Sequence, residues 1–116
     1  MNSILAFYGK TPADLTYTAI AVTASGTQHL HTAAVAVRGA ILLALCPVIG
    51  SAATTLLIRD TAQSPVALSG TMNIAAAGGS NSWTPWGLCK TAAGVGIDLV
   101  AGSGGNVNGM AVSLIL

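Results

Sequence analysis

The chain has 116 residues, room for one domain and one core. Hydrophobic residues make up 53% of it and aromatic residues 4%, while charged residues are 6%, against about a quarter in an average soluble domain. A net charge of +1, with Lys10, Arg38, Arg59 and Lys90 as the bases and Asp14, Asp60 and Asp98 as the acids, argues against a nucleic-acid binder, which needs clustered cations.

So few charges leave a free monomer poorly protected against association. Either much of its surface is buried against other subunits, or it lies in a membrane. Cys46 and Cys89 are too few for a disulfide framework. They read as buried thiols, with a single bridge as the alternative that geometry must decide.

Residues 1–15 read as an irregular N-terminal arm. Thr11-Pro12 disfavours helix immediately before the proline, and the opening residues lack the basic start and long apolar region of a signal peptide. Ile4, Leu5, Phe7 and Tyr8 need something to pack on, either their own domain or a neighbour. A domain over 16–116 follows.

From Tyr17 to Ala24 β-branched residues dominate, which suits a strand, and Ser25-Gly26 turns the chain. Residues 28–37 look extended again. His29 and His31, two apart, would share a face. That spacing could bring two imidazoles to one metal, but with no third ligand nearby, paired polar positions on an exposed face are the plainer reading.

Residues 39–58 are uncharged and long enough to span a bilayer as a helix. Against that, Pro47 and Gly50 divide the stretch into two strand-sized apolar runs, Ile41 to Leu45 and Thr54 to Ile58. The expectation is a buried hairpin, closed by Arg59-Asp60, with the membrane helix as the alternative.

Short strands follow over Val66–Leu68 and Thr71–Ala76, then a polar loop. Trp83 and Trp86 flank Pro85, which bars a central strand position. The tryptophans either cover the open end of the core or anchor a neighbouring subunit.

From Gly94 to Leu116, Val95, Ile97 and Leu99 alternate with Gly96, Asp98 and Val100. After a glycine-rich centre, Met110, Val112, Leu114 and Leu116 alternate with Ala111, Ser113 and Ile115. A period of two means strands, read here as a second hairpin with one strongly buried face. Short strands with regular turn signals predict an all-β chain: a single antiparallel β-sandwich, jelly-roll-like, with the arm appended.

No chemistry stands out. Either histidine could be combined with an aspartate and one of many serines, but no nucleophile-elbow motif supports a triad. The glycine-rich loop lacks the Lys-Ser/Thr of a phosphate-binding loop. The chain therefore reads as non-enzymatic, with no cofactor, metal or catalytic residue. Arg59-Asp60 reads as a strand-end pair, Asp98 as an outward group and Lys90 as a solvated loop residue. A carbohydrate-binding sandwich with Trp83 and Trp86 as a stacking platform is a further alternative.

From Arg38 to the end, several features stand in order: R-G-A-I-L-L-A-L, A-T-T-L-L-I-R-D, Gly87-Leu88, G-I-D-L-V-A-G over Gly96–Gly102, and V-N-G-M-A-V-S-L. In this pattern of hydrophobicity and turns the chain resembles small β-sandwich proteins from the virions of tailed bacteriophages. The resemblance implies a structural virion component, most simply a capsid cement or decoration protein. Its partners would be itself, as a homotrimer, and the major capsid protein of the same virion. It would act on the capsid surface after assembly in the host cytoplasm, with no nucleic acid or membrane partner. A tail, neck or fibre position and a small membrane protein spanning 39–58 are the alternatives. Ile4, Leu5, Phe7, Tyr8, Trp83 and Trp86 are the candidate contacts to other subunits or to the shell.

Overall fold

The structure is a computed structural model, and it describes residues 4–23, 25–31, 39–62, 64–84, 86–102 and 106–116; of His31 it describes the backbone alone. Arg38, Pro85 and the second half of the strand expected over 28–37 lie outside the described residues.

Two antiparallel sheets face each other. Sheet A runs in the order β1 (Leu15–Val22), β9 (Val107–Ile115), β3 (Ala40–Ile49) and β6 (Ser82–Trp83), with β7 (Cys89–Lys90) also paired to β3. Sheet B runs β2 (Gly26–His31), β8 (Ile97–Ala101), β4 (Thr54–Asp60) and β5 (Met72–Ile74). Alternate residues of both sheets meet between them. Ile20, Leu42, Leu45 and Ala111 of sheet A pack on Leu56, Ile58, Ile97 and Leu99 of sheet B, which gives the layered core of a β-sandwich.

Most of the strand content follows the sequence, but Val66–Leu68 contributes only an isolated bridge from Ala67 to Arg59, the short strands β6 and β7 lie in a stretch that reads as loop, and the pairing differs. Residues 94–116 form no hairpin: β8 pairs with β2 and β4, while β9 pairs with β1 and β3. Nor is 39–58 a hairpin, because β3 lies in sheet A and β4 in sheet B. The β1–β2 connection crosses between sheets in the same way. Each of these connections passes from one sheet to the other. The described ends of two of them lie side by side, with the Gly50 N–H donating to the Asn106 carbonyl at 2.8 Å and the Gly102 N–H to the Thr55 carbonyl at 2.8 Å. Alternation specifies which face of a strand is buried, and such a connection lets two successive strands bury those faces against one another.

The apolar run 39–58 is strand throughout its described elements, and among the described residues no helix is long and apolar enough to cross a membrane. Pro47 does not end its strand. Its carbonyl accepts from the Ser80 N–H at 3.2 Å, on the side away from β9, so the missing proline N–H costs no bond to β9. Opposite it, Gly109 has φ of 124°, and a Cβ there would collide with the Cys46 carbonyl.

The arm is not wholly irregular. Ile4–Phe7 make one helical turn, α1, and Pro12–Asp14 a 3₁₀ turn in which the Asp14 carboxylate accepts from the Thr11 N–H at 2.8 Å. Proline just inside the start and an acid reaching back to the cap residue are the local reasons for that turn.

Candidate assembly surface

The outer face of sheet A is where this chain departs most from an ordinary soluble surface. The strand register defines it in cross-strand rows. Tyr17, Val112, Ala44 and Trp83 form one row; Ala19, Met110 and Cys46 the next; Ala21, Asn108 and Val48 the third. None of the charged residues falls in β1, β9 or β3. Tyr17 is 62% exposed, Val48 55%, Met110 43% and Trp83 71%. Large apolar groups contiguous on one uncharged face mark an interaction surface, whereas scattered ones need no explanation.

The other half of the same face is already covered. Leu114, Ile41, Leu43 and Leu116 point outward there and are buried beneath Ile4, with Leu5, Tyr8 and Leu15 packed around them. A bulge in β3 between Leu42 and Ala44 divides the halves. It turns Leu43 out towards the arm, after which Ala44 resumes the alternation on the bare side. Lys90, opposite Ile41, ends this covered half. Its ammonium donates to the Tyr8 hydroxyl at 3.3 Å and lies 5.8 Å from that ring, so it is exposed to solvent as expected but stands on a strand beside the arm rather than in a loop.

The six candidate contact residues therefore divide. Ile4 is buried in the outer cluster, and Leu5 and Tyr8 are half-buried against it. Phe7 is 70% exposed and meets Tyr8 edge to face at 5.0 Å. Trp83 is exposed on the two-residue edge strand β6, and Trp86 is 51% exposed just beyond it. Neither tryptophan covers the core. Between β3, β7, β4 and β5 the sandwich edge instead holds an apolar cleft of about 160 Å³, walled by Leu42, Leu45, Ile58, Met72 and Cys89. Sequence reasoning passed over Tyr17, Val48 and Met110. Their signal was the absence of any charge at alternate positions of β1, β3 and β9.

Both cysteines are free. Burial pushes the Cys89 thiol up from its ordinary range, partly offset by a hydrogen bond with the Leu42 backbone. Cys46 lies on the bare face opposite Met110.

Sheet B carries a cluster of polar and ionisable groups, His29, Asp98 and Arg59. Asp98, in the inner strand β8, stands opposite His29 on one side and Arg59 on the other. His29 Nδ1 is paired with the Asp98 carboxylate, whose side chain is 6% exposed against 65% for the imidazole. Asp98 is thus outward on its strand, as expected, yet buried. The Arg59 Nε is buried without a hydrogen-bond partner. Asp60 binds the Ala62 and Val66 N–H groups, at 3.2 and 2.9 Å, and not its neighbour Arg59. The backbone register slips between His29 and His31, which oppose Asp98 and Ile97. Among the described residues no group of three His, Cys, Asp or Glu side chains is placed to hold a metal. A hollow of about 430 Å³ beside β4 and β5 is lined by Ala53, Thr54, Thr55, Asn73, Ile74 and Ala75, none of them titratable.

Comparison of the chain with protein families, with curated proteins and with solved structures finds no match.

Proposed function

We propose that this chain is a noncatalytic structural subunit of a tailed-phage virion: a capsid cement or decoration protein that associates as a homotrimer and stabilises the assembled shell. The observation that carries the reading is the bare half of the outer face of sheet A. Tyr17, Met110, Val48 and Trp83 stand out from strands without charge, beside an equally apolar half that the chain's own arm covers. Covering such a surface gains roughly 25 cal/mol for each Å² of apolar area and requires no ion to be desolvated.

The strand order supports the finer reading of the sandwich as a jelly roll. With β7 set aside, the first strand pairs with the last, β1 with β9. The second pairs with the next to last, β2 with β8, and β3 with β6 and β4 with β5 complete the nesting. A long hairpin folded over on itself gives this order, and jelly rolls recur in viral capsids. That link is one of fold analogy.

The mechanism is thermodynamic. Sheet A faces bury one another or the shell, while Phe7, Trp83 and Trp86 reach the major capsid protein. A subunit that binds the assembled lattice and not its loose components stabilises the lattice by mass action.

Light scattering on the purified chain tests the assembly half of this reading, with a discrete trimer expected. Tyr17→Asp combined with Met110→Lys should give a monomer with an unchanged strand signal in circular dichroism. A native chain that is monomeric at working concentration would overturn it. Co-sedimentation with shells lacking the protein tests the partner. Trp83→Ala with Trp86→Ala should lower occupancy, and undiminished occupancy would remove those residues from the contact.

A further inference from the structure

The edge of sheet A formed by β1 carries a device that the face-to-face reading does not use. β1 reads L-T-Y-T-A-I-A-V, eight residues without charge, proline or glycine, rich in β-branched and aromatic side chains. Among the described residues it has a sheet neighbour, β9, on one side and none on the other, which makes that side an edge. A long, uncharged edge with unpaired backbone groups is a template for another strand. Folded proteins blunt such edges with lysine, proline, bulges or a covering segment, and β1 has no lysine, proline or bulge of its own.

What β1 has instead comes from β2. The Gln28 amide nitrogen donates to the Ala19 carbonyl at 2.7 Å, and its Oε1 accepts from the Ala21 N–H at 2.8 Å. One side chain thus fills a carbonyl and an N–H on the open side of β1, the two kinds of site through which an added strand would bond. Beside it the Thr18 hydroxyl donates to the Leu30 carbonyl of β2 at 3.2 Å. Gln28 and Thr18 stitch the edges of the two sheets together across the side of the sandwich.

We propose that Gln28 is an edge guard: its amide occupies the backbone sites through which a second copy of this chain would otherwise add, β1 against β1. The occupant is a second copy because β1 is itself the uncharged strand such an edge accepts, and two copies meeting this way close a two-fold pair. The guard confines association to faces, and it does so whether or not the protein belongs to a virion.

The test compares two substitutions of similar size. Gln28→Leu removes both bonds and leaves the edge open and apolar. Gln28→Glu also loses the bond to the Ala19 carbonyl but puts a charge on the edge. Each is measured against the native chain's own oligomeric state by concentration-dependent light scattering, with circular dichroism as the check on folding. Gln28→Leu should build larger species at about tenfold lower concentration than the native chain, the effect of unblocking two hydrogen-bond sites. Gln28→Glu should not. Adding Ala21→Pro to Gln28→Leu removes the edge N–H and should restore native behaviour. Equal association of the Leu and Glu variants would mean general destabilisation and would overturn the guard. So would a Gln28→Leu chain that stays at the native oligomeric state, or one that still associates with Ala21→Pro present.

Discussion

In β8, an inner strand of sheet B, the outward positions bring Asp98 between His29 and Arg59; in β9, an inner strand of sheet A, the outward positions are Asn108, Met110, Val112 and Leu114, apolar but for the first. Both strands alternate, and both bury their other face in the same core. Sheet B uses its outer row for a hydrogen-bonded His29–Asp98 pair, the carboxylate buried and the imidazole exposed. Sheet A uses its outer rows for apolar side chains, of which the arm covers one half and nothing among the described residues covers the other. The lesson is that burial in this protein is not confined to the space between the sheets. A second apolar layer lies outside sheet A, and only part of it is completed within the subunit.

The sharpest way to break this contrast is along β9 itself. Leu114 and Met110 lie on the same face of one strand, the first fully buried under the arm and the second 43% exposed. Leu114→Ala should cost about 2–5 kcal/mol in urea unfolding, the range for emptying a packed site. Met110→Ala should cost well under about 1 kcal/mol in the isolated subunit, because little packing is lost there. Equal costs would mean that the bare half is packed within the subunit too.

Next in size is sheet B. His29→Ala leaves the buried Asp98 carboxylate without its partner, and about 1–3 kcal/mol of stability should go with it. The exposure of the imidazole keeps the loss near the lower end of that range.

Ser113 offers a smaller effect of opposite sign. Its hydroxyl is fully buried, on the core side of β9 opposite Leu42, with no hydrogen-bond partner. Ser113→Ala should leave the melting temperature unchanged or raise it, because the substitution removes an uncompensated desolvation cost. The least perturbing measurement is thiol alkylation. With its thiol pushed up by burial, Cys89 should react slowly at neutral pH and faster as the pH rises beyond the ordinary thiol range. Cys46, on the bare face, should be protected when subunits associate and exposed when Tyr17→Asp and Met110→Lys hold them apart.

The candidate surface was only partly legible. Ile4, Leu5, Phe7 and Tyr8 announce an arm that must pack on something, but which of them turn inward depends on Leu114, Leu116, Ile41 and Leu43, over a hundred residues away for the first two. The tryptophans could be read as covers or as anchors. Their exposure is set by β6, a strand of two residues at the edge, which leaves no facing layer over them.

Taken alone, the amino-acid sequence determined the long strands and the shortage of charge, though not the short pieces at 66–68, β6 and β7. Alternation and β-branched composition are local properties, and the count of ionic groups does not depend on conformation. The tertiary structure decided which sheet each strand joined, turning two expected hairpins into connections between sheets, and whether an apolar face became core, arm seat or bare surface. A side-chain period of two says that a strand has a buried face. Only the packing of distant strands says what it is buried against.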